Sequence, residues 1–422
     1  MHHFNFKSEE LYCEEVPLKK IASEVGTPFY CYSQATLTRH VQQFSEPFKD
    51  VDALLCYAVK ANSNIAVLRL LLSLGCGADI VSGGELFRVL KAGGERKKIV
   101  FSGVGKREDE IEFALKEKIL SLNVESAQEL ELVSNIAKKL KTKAPISIRV
   151  NPDIDPKTHP YISTGLLQNK FGIPLKEAIG LFHKASKDPN LDLVGIDCHI
   201  GSQVTELAPF LDALRSIKNT IKQLKSEGIK IDHLDIGGGL GITYSDENPP
   251  HPRDYAKAVL DELAGLDLML IMEPGRVIVG NAGILVTKVL FTKHTSQKEF
   301  VIVDAAMNDL IRPGLYNAYQ EIIPVKESSS ESTKVVDVVG PVCETGDFLA
   351  RERKMPTVSP GDLLAVMSAG AYGFSMSSNY NSRPRVAEIL VNGDKFAVIR
   401  KREALEDLIL GETMAHWLGG KD

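Results

Sequence analysis

The chain has 422 residues, 44% of them hydrophobic and 25% charged, with a formal net charge of −5. That length exceeds one ordinary hydrophobic core, so two domains are the starting expectation. The mildly acidic balance offers no basic footprint for nucleic acid, no apolar run is long enough to span a bilayer, and the polar start lacks the apolar stretch of a signal peptide, so a cytoplasmic protein that binds neither nucleic acid nor membrane is expected.

Taken in chain order, residues 1–35 fit no repeating pattern and are expected to supply a strand to a β domain. A helix is predicted over 37–44. From residue 51, short apolar runs alternate with amphipathic ones. Strands are predicted at VDALLCYA (51–58), GADIV (77–81), KKIVFSG (97–103), ILSLNV (119–124), PISIRVN (145–151), LVGIDCHI (193–200), IDHLDIGG (231–238) and LDLMLIME (266–273). The intervening segments carry apolar residues at three-and-four spacing, as helices do. Strand and helix repeated eight times predict a (β/α)8 TIM barrel over 36–279. One loop of that barrel, 151–173, is unusually long and rich in proline, glycine and polar residues, which reads as a lid or wall over a site.

After residue 280 the texture changes. GILVTKVLFT, EFVIVDA, TKVVDVVGP, DLLAVMSAG and the pair RVAEILV and KFAVIRK joined by Asn-Gly-Asp predict strands and a hairpin with no helices between them. This is an all-β C-terminal domain, 280–422 with 1–35, giving an α/β plus β chain. KESSSEST (326–333) reads as an exposed loop. The six cysteines, Cys13, Cys31, Cys56, Cys76, Cys198 and Cys343, are scattered without a C-x-x-C pair, which predicts free thiols and neither a zinc site nor a disulfide framework.

The residues that carry chemistry fall at the C-terminal ends of the barrel strands, where barrel enzymes place their sites. Lys60 follows the first strand in CYAVKAN; Ser82, Gly83 and Gly84 follow the second; Arg149 and Asn151 end the fifth; His199, Gly201 and Ser202 end the sixth; Gly237, Gly238 and Gly239 end the seventh; Glu273, Gly275 and Arg276 end the eighth. Taken singly, each has a plain reading: a solvated lysine, a core histidine, a paired carboxylate, a tight glycine turn. Together, DIGGGLG (235–241) offers successive backbone amides to an anion, and EPGR (273–276) sets a guanidinium and another amide on the neighbouring strand. A lysine, a phosphate cradle, a flat imidazole and a carboxylate around one barrel mouth fit pyridoxal 5'-phosphate.

YAVKAN, HIGSQ, DIGGGLG, EPGR, CETGD and GAYGFSMSSNYNSRPR jointly resemble the alanine-racemase-type (fold type III) pyridoxal-phosphate decarboxylases. The resemblance covers nearly the whole chain. It is nearest to the branch that takes meso-2,6-diaminopimelate to L-lysine and carbon dioxide. It implies that the Lys60 amine condenses with the cofactor aldehyde, that His199 stacks on the pyridine face and that Glu273 sits at the ring nitrogen. Ser202, Gly237, Gly238, Gly239, Gly275, Arg276 and Tyr372 would hold the phosphate end, while Asp79 lies near the lysine in either a structural or a functional role. It further implies that Cys343 is an acid and Glu344 receives the substrate's distal ammonium, both from a partner subunit in a homodimer with shared active sites. Arg312 and Tyr316 of RPGLY, with Arg276 and Tyr372, would recognise the amino-acid substrate, including a second carboxylate through planar guanidinium groups. Ornithine- or arginine-type decarboxylation is the alternative within the class; their substrates lack that carboxylate. A racemase would need acids on both cofactor faces and leaves CETGD and RPGLY unexplained, and a non-catalytic homologue would have no use for Lys60 and Cys343.

Overall fold

The computed structural model describes residues 2–154, 169–327 and 332–418. Residues 155–168, most of the stretch read as a lid, and 328–331 of the KESSSEST loop lie outside the described residues. Two compact units emerge, one of Gln34–Ala282 with Gly370–Ser375, the other of His2–Ser33, Gly283–Ala369 and the chain from Met376 onward. The sequence places no break at residue 370, because DLLAVMSAG reads on as one strand pattern; in the structure the strand stops at Val366.

In the first unit eight parallel strands close on themselves: β1 (Ala53–Ala58), β2 (Gly77–Ile80), β3 (Ile99–Phe101), β4 (Ser121–Val124), β5 (Ala144–Asn151), β6 (Leu191–Asp197), β7 (His233–Asp235) and β8 (Met269–Met272). They run in chain order around the barrel, with β4 on β5 and β8 on β1 completing the ring. All eight lie within the predicted strands, allowing a residue or two at the ends. Helices of nine to nineteen residues follow β1 to β7, but β8 is followed only by the single turn Arg276–Val279. The eightfold repeat is therefore short by one full helix. Helix Gln34–Ser45, ahead of β1, packs in that part of the ring: His40 Nδ1 lies 2.9 Å from the Ile278 carbonyl, and the Phe44 ring is 6.0 Å from that of Tyr255.

The strand alternation that fills a barrel gives an apolar floor of Cys56, Val100 and Ile271, with Leu54, Leu120 and Met269 against them. Polar side chains share the interior with it, on β5 and at the start of β7, where His233 is in register with Met269. Ser147 Oγ lies 2.7 Å from His233 Nε2, and burial pushes that imidazole down to about 4. Gly195 is glycine because the His233 ring crosses it; a Cβ there would meet Nε2 at 2.2 Å. Further up, Lys106 is wholly enclosed. Its ammonium donates to Glu129 Oε1 at 2.7 Å, to the Gly103 carbonyl at 2.9 Å and to the Asn123 carbonyl at 2.6 Å, using all three hydrogens. This ties the loop after β3 to the helix after β4.

The second unit is built on a sheet in the order Phe348–Pro356, Thr333–Val339, Glu299–Val303, Gly283–His294, Phe29–Ser33, Ala387–Asn392 and Lys395–Arg400. The expected N-terminal strand is Phe29–Ser33, antiparallel to Gly283–His294 and parallel to Ala387–Asn392. Phe4, Leu11, Ile21, Phe29, Ile284 and Ile389 share one core. The predicted hairpin closes at Gly393, with φ of 60°. Phe348–Pro356 went unpredicted, because Arg351, Glu352, Arg353 and Lys354 in succession hide the strand alternation.

Removing one partner of a buried ion pair strands the other charge, typically at about 3–5 kcal/mol. Lys106→Ala should therefore lower unfolding stability by roughly that amount, read by urea titration of the cofactor-free chain. A loss under ~1 kcal/mol would show that the pair is not held as described.

Candidate active site

Lys60 lies in a one-turn helix, Val59–Ala61, that ends β1. Its Nζ donates to Asp79 Oδ2 at 2.7 Å, and Asp79 on β2 is fully buried. Burial opposes the ammonium, but Asp79 and then Glu273 outweigh it, so the Lys60 ammonium is favoured over the free amine. The strand-end lysine is thus anchored to a carboxylate on the barrel wall.

A polar lattice lies alongside. Arg149 on β5 is buried, with Nη1 2.9 Å from Glu125 Oε1 and Nε 3.7 Å from Asp197 Oδ2. Glu125 also accepts the Gly103 amide at 2.8 Å and the Gly172 amide at 3.0 Å. Asp197, Asp235 and Glu273, from three neighbouring strands, are buried and each brings an oxygen within 4.8 Å of the others. Among the described residues Asp79 Oδ1, Asp197 Oδ1 and Asp235 Oδ2 are buried with no hydrogen-bond partner. Burial first, then the neighbouring acids, holds Asp197 and Glu273 well above the usual carboxylate range and pushes Asp235 up to about 6. Such a cluster suits a cation, whether a metal ion or a protonated heterocycle.

The glycine run is required by crowding. Gly237 and Gly239 have φ of 64° and 110°. A Cβ on Gly237 would lie 2.6 Å from His199 Nδ1, one on Gly238 2.1 Å from the Glu273 carbonyl oxygen, and one on Gly239 2.3 Å from the Gly201 carbonyl oxygen. The Glu273 amide donates to the Gly237 carbonyl at 2.7 Å, drawing β8 onto this turn. The Gly238 amide donates to His199 Nδ1 at 3.1 Å, so a neutral ring carries its proton on Nε2. Burial, then Arg149 and Lys60, holds this imidazole well below its ordinary value and therefore neutral. Arg276, buried just past β8, donates from Nη2 to Ser202 Oγ at 3.0 Å and from Nη1 to Tyr244 Oη at 2.7 Å. The Tyr372 ring lies 4.9 Å from the same guanidinium, and the Tyr372 amide donates to the Ala61 carbonyl at 2.8 Å.

The structure brings Lys60, His199, Ser202, Gly237, Gly238, Gly239, Glu273, Gly275, Arg276 and Tyr372 together in the first unit. These residues fit the expected cofactor: a lysine for an aldehyde, a buried acid for a ring nitrogen, a neutral flat imidazole, and a glycine-only turn beside a guanidinium for a phosphate. Arg312, Tyr316, Cys343 and Glu344 belong to the second unit. There Cys343 is exposed while the other five cysteines are buried. Its loop is fixed by Asp347, which accepts the Val342 amide at 2.7 Å, and by Asn381, whose Oδ1 accepts the Cys343 amide at 3.0 Å. The neighbouring Glu344 carboxylate holds the Tyr380 phenol above its ordinary value. Arg312 is buried with its guanidinium 5.8 Å from the Tyr316 ring. Asp197, Asp235, Glu125 and Tyr244 escaped the sequence reading. The available signal for the two aspartates was an acid inside an apolar strand, two residues ahead of His199 and of Gly237.

A pyridoxal-binding domain of the pyridoxal-dependent decarboxylases matches residues 34–280. The diaminopimelate decarboxylase of Vibrio cholerae is 57% identical over 410 residues, 97% of this chain and 98% of that protein; that of Haemophilus influenzae is 52% identical over 409 residues, with the same two shares. The crystal structure of the Helicobacter pylori diaminopimelate decarboxylase complexed with L-lysine superposes with a TM-score of 0.90 at 48% identity, covering 93% of this chain and 98% of that one. The lysine/ornithine decarboxylase of Vibrio vulnificus, complexed with putrescine, shares the fold (TM-score 0.79, 89% of this chain and 97% of that one) at 20% identity.

Because Asp235 is held above its unfolded value near 3.8, its contribution to stability is full at the acidic end and is lost as pH rises through about 6. Asp235→Asn keeps the Gly237 contact and cannot ionise. The cofactor-free variant should gain on the order of 2–3 kcal/mol relative to wild type between about pH 4 and pH 7. Parallel stability curves in urea would show that Asp235 does not resist ionisation there.

Proposed function

The chain belongs to the diaminopimelate decarboxylases among the pyridoxal-dependent decarboxylases, and on that premise we propose how its own side chains carry out the release of carbon dioxide from meso-2,6-diaminopimelate to give L-lysine. It is a pyridoxal-phosphate-dependent carboxy-lyase. The reading of the site rests on one observation above others: a strand-end lysine paired to a buried carboxylate, facing a glycine-only turn and a buried acid cluster. When bound, pyridoxal phosphate supplies an aldehyde for covalent attachment and a protonated ring that draws electrons from the bond to the departing carboxylate.

Lys60 is the attachment residue, and Asp79 fixes its amine and supplies its counter-charge. Glu273 holds a proton at the ring nitrogen; the neighbouring acids make it a better keeper of that proton than an isolated carboxylate. His199, neutral and oriented by the Gly238 amide, would stack on the ring face. The amides of Gly239 and Gly275, with Ser202, Arg276 and Tyr372, would bind the phosphate; the Gly237 and Gly238 amides are spent on Asp235 Oδ1 at 2.9 Å and His199 Nδ1 at 3.1 Å, so those two glycines would shape the turn and not donate to the anion. Cys343 returns a proton to the carbon that has lost its carboxylate, and Glu344 takes the distal ammonium. Arg312 with Tyr316 receives the distal carboxylate, which ornithine lacks. An exposed thiol on a fixed loop suits a proton donor offered to a second chain, so we propose a homodimer in which Cys343 and Glu344 of one protomer complete the site of the other. The working compartment is the cytoplasm, in keeping with free thiols and with no helix among the described residues able to cross a membrane.

The loaded chain should release carbon dioxide from meso-2,6-diaminopimelate far faster than from ornithine, and Lys60→Ala should abolish it. Borohydride reduction followed by peptide mapping should find the cofactor on Lys60; cofactor on another lysine overturns that assignment.

Mixing inactive Lys60→Ala with inactive Cys343→Ala chains should restore about a quarter of wild-type activity if subunits exchange freely, since half the dimers are hybrids and each hybrid has one wholly wild-type site. No recovery, with exchange shown by differently tagged chains, rules out shared sites.

A further inference from the structure

We propose that Tyr244 belongs to the anion-binding apparatus of this site: together with Ser202 it fixes the Arg276 guanidinium and presents a hydroxyl to the bound anion. This deepens the function proposed above and rests on it. Tyr244 lies beyond the glycine run, in a segment that sequence motifs do not reach, yet its position is built with care. Gln203 clamps the start of the segment, its Nε2 donating to the Ile242 carbonyl at 2.6 Å and its Oε1 accepting the Ile242 amide at 3.1 Å. Glu247 closes the turn. Its Oε2 accepts the Tyr244 amide at 2.9 Å and the Ser245 amide at 2.8 Å, while its own carbonyl accepts the Thr243 hydroxyl at 2.9 Å. A short polar turn at the protein surface has no evident packing reason for this many constraints.

What the turn delivers is the Tyr244 hydroxyl, 2.7 Å from Arg276 Nη1. The two terminal nitrogens of the guanidinium thus each donate to a hydroxyl, Tyr244 on one side and Ser202 on the other. The Tyr244 and Tyr372 rings lie 5.8 Å and 4.9 Å from its centre. A hydroxyl that accepts from a guanidinium keeps its own O–H as a donor, and accepting from a cation polarises that O–H further. Ser202 and Tyr244 therefore extend the positive field of a buried arginine as two directed donors. An anion with several oxygens suits such a pair: the cofactor's phosphate or a substrate carboxylate.

The test uses Tyr244→Phe, which keeps the ring and removes only the hydroxyl. Cofactor-free wild type and variant are titrated with pyridoxal phosphate and with pyridoxal, which lacks the phosphate, following the absorbance of the bound species. KM and kcat for diaminopimelate and thermal midpoints of the cofactor-free chains are measured alongside. A loss of roughly ten- to a hundredfold in affinity for pyridoxal phosphate, with pyridoxal binding and the midpoint unchanged, assigns Tyr244 to the phosphate. Unchanged cofactor affinity with KM raised about tenfold or more at constant kcat assigns it to a substrate carboxylate. Either supports the proposal. If no binding parameter changes, or if both ligands weaken together with a lowered midpoint, Tyr244 is structural and the proposal fails. Failure of the wild-type chain to take up pyridoxal phosphate at all would instead overturn the proposed function, and this inference with it.

Discussion

The upper half of the barrel interior is governed by an imbalance of charge in a dry place. Asp79 is matched by Lys60 and Glu125 by Arg149; Asp197 reaches Nε of that arginine at 3.7 Å, while Asp235 and Glu273 lie among other buried acids. Like charges so close cannot all ionise without water between them, so burial and mutual repulsion favour protonated carboxyls there. His199 is neutral for a different reason: its own burial, and then the Arg149 and Lys60 cations, disfavour the charged ring.

Crowding is the second constraint, and it works with the first. The loop after β7 lies so close to β8 and to the loop after β6 that three successive positions exclude any side chain. The same closeness lets the Gly238 amide orient His199 and lets the Glu273 amide reach the Gly237 carbonyl. The backbone thus sets the distance between the imidazole, the buried acid and the amides, leaving little to side-chain rotamers. A site built this way is pre-organised before any ligand enters.

Much of this was legible in the sequence, for identifiable reasons. The eight barrel strands announce themselves because parallel strands buried on both faces read as nearly continuous apolar runs. Lys60, the glycine run and EPGR stand out because each breaks that texture at a strand end. The electrostatic lattice was harder to read. Arg149 stood out at its strand end, but Asp197, Asp235 and Glu125 are single polar residues whose meaning depends on which strand comes to lie beside them. Tyr244 was invisible for the same reason, since its contact with Arg276 joins segments thirty-two residues apart. The missing eighth helix and the strand Phe348–Pro356 were obscured differently: the first by an expectation of regularity, the second by four consecutive charges on an exposed strand.

The strand Phe29–Ser33 has a consequence for how the chain is made. Its two neighbours in the sheet are Gly283–His294 and Ala387–Asn392, so it leaves the ribosome long before either exists. Roughly 250 residues separate it from the first partner, which at typical synthesis rates of about 5–20 residues per second amounts to on the order of 10–50 seconds. Through that interval FYCYS, every residue of which ends up buried, is an apolar segment with unpaired backbone on both edges. The nascent chain must shelter it, by transient contacts of its own or by a chaperone, while the whole barrel is translated and folds.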